Sequence, residues 1–203
     1  MSTKTKFEKF EFGSSWTQLE SMARGSHALV HDGRVWLIDP VDSEGDVERA
    51  VGDNEPAGVI QLLDRHNRDN AAIAERLDVP HLRLPINVPE SPFTPFPVIN
   101  NRIWHEVGLW WPEHKILVVA EAIGTNEALA VAGTGIAVHP ALRLTPPRAL
   151  RPYTEVNHLL TGHGRPHHSA DLGERIQRAL DKSRCDLPRT LVRIPGMIRA
   201  ARA

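Results

Sequence analysis

Short apolar runs separated by polar turns recur along the chain, and their alternation predicts strands more often than helices. Residues 27–30 and 35–38 are apolar runs on either side of His31-Asp32-Gly33-Arg34. Asp-Gly between such runs predicts a hairpin, because Gly accepts positive φ and Asp tolerates it. Asp39-Pro40 ends its second strand. Ahead of it, Phe7, Phe10 and Phe12 predict an edge strand. Residues 44–52 have helical composition. Residues 58–63 form the next apolar run, followed by the polar turn 64–70, a helix over 71–77 and a short strand over 81–84. That order is a βαβ unit, and it places the 64–70 side chains at the carboxyl end of a strand, where α/β folds build their sites.

The rest of the pattern is less regular. Five prolines between residues 85 and 97 predict a long connection, with Phe93 and Phe96 anchoring it. Residues 98–111 and 116–120 flank Pro112-Glu113-His114-Lys115 and predict a second hairpin. Trp110 and Trp111 cannot both face one core, since neighbouring strand residues point to opposite sides. An Ala-rich stretch, 126–138, predicts a short helix and then a loop, and Pro146-Pro147 predicts a helical turn. Residues 156–161 run as a strand into Gly162-His163-Gly164, and 169–182 form an amphipathic helix with Leu172, Ile176, Ala179 and Leu180 on one face.

Composition adds bounds. The 203 residues predict one domain, 1–203, with mobile ends at 1–6 and 190–203. At 41% hydrophobic and 24% charged, the chain has enough apolar content for a sizeable core. A formal charge of −1 gives no basic field for nucleic acid. The lone Cys185 excludes an intrachain disulfide and a cysteine-rich zinc site. No apolar run is long enough to cross a bilayer, so no membrane partner is expected and a cytoplasmic location is the default. No G-x-S-x-G, G-x-G-x-x-G or Walker pattern appears.

The hairpin ending in Leu37-Ile38-Asp39, the 64–70 turn, the PEHK turn and the GHG, in this order, resemble the metallo-β-lactamase fold superfamily. That resemblance implies an α+β fold, a four-layer αββα sandwich of two mixed sheets with helices on both outer faces. It also implies a site built on H-x-H-x-D-H and later His and Asp residues. Aligned on Asp69, the motif's histidines fall on Arg65, Asn67 and Asn70; the middle histidine falls near Arg102, the bridging aspartate on Glu121, and the terminal histidine on His163. Arginine has no lone pair to give and repels a cation. The expectation is therefore a metallo-hydrolase-like protein that has lost its dinuclear centre. No metal is expected, with Arg65 spanning Asp69 and Glu121 and with Arg65, Asn67, Asn70 and Arg102 facing a ligand. The ligand would be a small molecule or a protein partner, and the tryptophans leave room for a homodimer. The alternative is a weak mononuclear hydrolase of an ester, amide or thioester, holding one Zn, Fe or Mn ion through Asp69, Glu121 and His163. Asp64 and His66 are expected as a solvated loop pair, and His167 and His168 as exposed loop residues.

Overall fold

The computed structural model describes residues 4–43, 45–126 and 135–188. The Ala-rich stretch and the C-terminal tail therefore lie mostly or wholly outside the described residues, as do residues 1–3, whereas the strand that begins at Thr5 takes in Thr5 and Lys6 of the N-terminal end expected to be mobile. Two mixed sheets dominate. The first has six strands in chain order: β1 (Thr5–Phe10), β2 (Gly13–Gln18), β3 (Gly25–His31), β4 (Arg34–Ile38), β5 (Glu55–Gln61) and β6 (His81–Arg83). Its first four strands pair antiparallel, and β4–β5 and β5–β6 pair parallel. The second sheet contains β7 (Thr94–Asn101), β8 (Trp104–Trp111), β9 (Ile116–Val119), β12 (His158–Thr161) and β13 (His167–His168), in the order β13-β12-β9-β8-β7. A two-stranded ribbon, β10 (Ile123–Gly124) with β11 (Ala137–Val138), follows the β9 turn.

Alternation along the strands assigns the layers. Leu29, Trp36, Ile38 and Ile60 join the core cluster shared with Leu109, Trp111, Ile116 and Val118 of the second sheet. Their neighbours Ala28, Val35, Leu37 and Val59 face the other way and pack with Val47 of α1 (Asp46–Val51) and Ile73 and Ala74 of α2 (Asn70–Leu77). A one-residue slip would exchange these two sets, so the register is strongly specified. The amphipathic α3 (Leu172–Lys182) buries Leu172, Ile176, Ala179 and Leu180. The layers are helix, sheet, sheet, helix.

Most predicted elements lie where the pattern puts them. Asp32 and Gly33 both have positive φ, as the tight hairpin requires. Phe93 is buried edge-on against Trp36 and Trp111, an anchor rather than a lid. The proline-rich connection is shorter than expected: β7 begins at Thr94 and contains Pro95 and Pro97. Proline lacks a ladder donor, and it is tolerated here because β7 is the sheet's edge and its register shifts between Pro97 and Ile99. Trp111 enters the inter-sheet core, whereas Trp110 lies against Tyr153. His167 and His168 are strand residues, not loop residues, and the His158 and His168 rings approach with Nδ1 atoms 2.8 Å apart. No helix among the described residues is long and apolar enough to cross a membrane.

Candidate metal centre

Three strand ends converge at one edge of the sandwich: those of β4, β9 and β12, joined by the turn after β5. Asp39 ends β4 in a left-handed conformation (φ 45°). One of its carboxylate oxygens accepts the Leu62 N–H, and the other meets His66 Nδ1 at 2.9 Å. His66 is buried, and its Nε2 lies 3.1 Å from Glu121 Oε1. His163 is also buried; its Nδ1 meets the Met22 carbonyl at 2.9 Å and its Nε2 lies 3.3 Å from the same Glu121 oxygen. The donor atoms of His66, Glu121 and His163 lie within 4.8 Å of one another.

Glycines make this approach feasible. A Cβ on Gly162 would sit 2.6 Å from the Ala120 carbonyl and 2.9 Å from the His66 ring. Gly164 has φ 108°, and a Cβ there would meet Thr125 Oγ1 at 2.2 Å. Both residues flanking His163 must therefore be glycine for the ring to reach Glu121.

Glu121 is held from beneath. Glu106, fully buried on β8, accepts the backbone N–H groups of Ala120, Glu121 and Ala122 and the indole N–H of Trp104. Burial pushes the Glu106 carboxyl above its usual range, against those hydrogen bonds. For Glu121 the balance is opposite: burial raises its pKa, but the His163 and His66 rings outweigh it and hold the carboxyl well below its usual range.

Two arginines border the cluster. Arg65 lies 3.9 Å over the Trp104 ring and donates to Glu121 Oε2 at 2.9 Å. Arg68 turns inward and donates to the carbonyls of Gly25, Asp39 and Gly162 at 2.6, 2.6 and 2.8 Å, joining both sheets. His139 stands edge-on to Trp104, with ring centroids 5.0 Å apart; burial, with Arg65 and His163 adding to it, lowers its pKa to about 4 against the pull of Glu121.

The structure brings Arg65, Glu121 and His163 together, but not Asp69. Arg65 bridges Glu121 and Asp64 rather than Glu121 and Asp69. Asp69 stands just before α2 without a capping side-chain hydrogen bond, and its carboxylate accepts the Asp42 N–H instead. Asn67 is exposed. Asn70 is buried and donates to the His66 and Asn67 carbonyls, holding the turn. Arg102 sits on the exposed β7–β8 turn. The solvated-pair expectation for Asp64 and His66 is overturned for His66, which supplies the turn's imidazole. The chain turns here rather than alternating: it buries His66 and Asn70 and aims Arg68 inward, while Arg65 reaches Glu121 from the exposed side. His139 and Glu106 were not signalled by sequence, since neither lies in a motif.

The fit to metal differs between the two seats of a dinuclear site. Two imidazoles and a carboxylate on one point suit a single divalent ion, and each ring's Nδ1 is tied to an acceptor that orients it. A second ion would face the Arg65 and Arg68 guanidinium groups, and the motif's remaining positions supply no further imidazole. Among the described residues, His66, Glu121 and His163 are the one group of three ligating side chains gathered in this way.

Solved structures share this architecture. The crystal structure of DIM-1 metallo-β-lactamase matches 90% of this chain and 100% of its own, with a TM-score of 0.59 and 15% identity. VMB-1 at pH 5.5 matches 90% and 100%, with a TM-score of 0.61 and 10% identity. TMB-1 matches 88% and 98%, with a TM-score of 0.52 and 15% identity. The chain has the metallo-β-lactamase fold. No family model and no curated protein sequence matches it. Within the fold, the cluster lies at the strand-end edge where the GHG turn and the Glu121 turn meet.

Proposed function

We propose that the cleft is a one-ion hydrolytic site, acting on an ester, amide or thioester, in a protein that has lost the dinuclear arrangement. One observation carries this reading. His66 and His163 both commit Nδ1 to an acceptor, and both present Nε2 to Glu121 Oε1. A neutral imidazole whose proton is on Nδ1 has only a lone pair at Nε2. Two lone pairs and a carboxylate oxygen at 3.1–3.3 Å call for positive charge between them; in the metal-free chain a proton on Nε2 supplies it, as the raised His66 pKa records, and a divalent ion can take that proton's place. His66, Glu121 and His163 would hold that ion.

When bound, such an ion would supply Lewis-acid chemistry, polarising a carbonyl and acidifying water. The protein's own groups provide the rest. Arg65, with its side chain 40% exposed on the Trp104 face, donates to a carbonyl oxygen as negative charge develops there. His139 stays neutral near pH 7; its Nδ1 accepts the Ala141 N–H, so its proton is on Nε2, on a ring that packs against Trp104. The solved structures of similar fold are named as β-lactamases, and a lactam is a cyclic amide within the proposed substrate class.

The test is metal analysis of the full chain purified without chelator, together with thermal shifts on adding Zn, Fe or Mn. About one ion per chain is expected, with at least tenfold weaker affinity in His66→Gln and His163→Gln. Hydrolysis of a chromogenic ester and lactam panel should follow metal content. A second reading is a metal-free ligand-binding protein, supported by the Arg65–Glu121 pair, which already supplies one positive charge. Absence of bound metal together with no thermal shift would establish that reading instead.

A further inference from the structure

Beside the turn that presents His163 lies a separate cavity of about 610 Å³, within the size range of small-molecule sites. Its walls include Thr125, Gly164, Arg165, His167, His168 and Arg175, and no carboxylate lines it among the described residues. Gly164, which lines the cavity, follows His163 directly, so the same turn serves the cavity and the cluster.

The cationic side chains differ in how they are held. Arg165 is gripped by both carboxylate oxygens of Glu8, which largely neutralises it and fixes the wall. Arg175 makes long contacts, 3.8 Å to Asp171 and 3.4 Å to His167 Nδ1. Its planar fork, anchored loosely, matches the two oxygens of a carboxylate or phosphate. His167 accepts at Nδ1, so its neutral tautomer carries the proton on Nε2 and offers a second donor. Burial, then Arg175 and Arg165, lowers the His167 pKa, the direction expected of an imidazole in cationic surroundings.

We propose that this cavity is an oxyanion subsite in which Arg175 and His167 hold a carboxylate or phosphate group of the substrate. The substrate class narrows to anionic esters, amides or thioesters. The inference rests on the hydrolytic reading for what the group is attached to; the binding of an oxyanion is independent of it.

The test uses the full chain after EDTA treatment, so that failure of the metal seat leaves this measurement untouched. Inorganic phosphate and acetate are titrated separately by calorimetry and thermal shift. Saturable binding of at least one is expected, at least tenfold weaker in Arg175→Met, partly restored in Arg175→Lys, and unchanged in the distant Arg151→Met. The tighter of the two anions identifies the phosphate or the carboxylate class. Should Arg175→Met fail to fold, the His167 ring resonance in the wild-type protein serves instead, and it is expected to shift with anion concentration. The proposal is overturned if neither anion binds saturably, if Arg175→Met binds as tightly as wild type, or if the His167 resonance stays still at saturation.

Discussion

At the residue scale, His66 carries most of the site's electrostatic tension. Burial pushes its pKa down, but Asp39 and the hydrogen bonds to Asp39 and Glu121 prevail, so the folded value is raised. A raised histidine contributes stability that is complete below its unfolded pKa of about 6.5 and is lost as pH rises through the folded value. Asp39 is also buried, which alone would raise its pKa, but His66 and Arg68 hold it below the usual range. The contributions of Asp39 and Glu121 are therefore complete above the ordinary carboxylate range and are lost as pH falls. For chelated protein, urea unfolding should show this trio contributing most between about pH 4 and 6.5, with stability declining above that. His66→Gln should remove the alkaline decline; a decline of equal slope in that variant would assign it elsewhere. His66 also marks the limit of reading residues from sequence. A polar turn has no hydrophobic period, so nothing in 64–70 fixes which side chains point inward; anchoring on Asp69 found Arg65 beside Glu121 but passed over His66.

At the element scale, apolar patterning located most of the longer strands and α3, because each strand has one face in each packed layer, but it missed β2, whose one large apolar residue is Trp16. It misjudged β7, whose prolines are admitted only because it lies at an edge. It was silent on Glu106, an acidic residue in a strand whose neighbours alternate in and out, whose role depends on a turn of another strand. Glu106 joins β8 to the turn after β9. Its removal orphans three backbone N–H groups and an indole N–H, each worth roughly 1–3 kcal/mol when left buried. Glu106→Ala is expected to cost more than about 3 kcal/mol by that reasoning, read from the urea midpoint. Glu106→Gln keeps one acceptor oxygen for the three amides but sets an NH2 against the Trp104 indole. It should lose less stability and alter Trp104 fluorescence. A Glu106→Ala chain as stable as wild type would show that the turn is held by its own strand.

At the scale of the whole molecule, the sheets are joined by more than apolar packing. The Gly25 N–H donates to the Gly162 carbonyl, and Arg24 bridges to His163 across the same seam. The Arg68 guanidinium donates to Gly25 and Asp39 in the first sheet and to Gly162 in the second. The core cluster is continuous across both sheets, from Trp36 to Trp111. Such coupling favours a single cooperative unfolding step in which neither sheet persists alone. The tryptophans allow this to be measured, since Trp16 and Trp36 belong to the first sheet and Trp104 and Trp111 to the second. Variants retaining one tryptophan from each sheet should give coincident denaturant transitions. Arg68→Met removes the charged staple and takes one donor from each of three carbonyls, of which Gly162 keeps the Gly25 N–H. A hydrogen bond from a charged donor is worth about 1.5–3 kcal/mol. The expected result is a lower midpoint for both reporters together, because the apolar interface still links the sheets. Transitions that separate in the wild-type chain would mean that each sheet, with its own helices, holds together unaided; the His66, Glu121 and His163 cluster would then sit on a seam that opens before the sheets unfold.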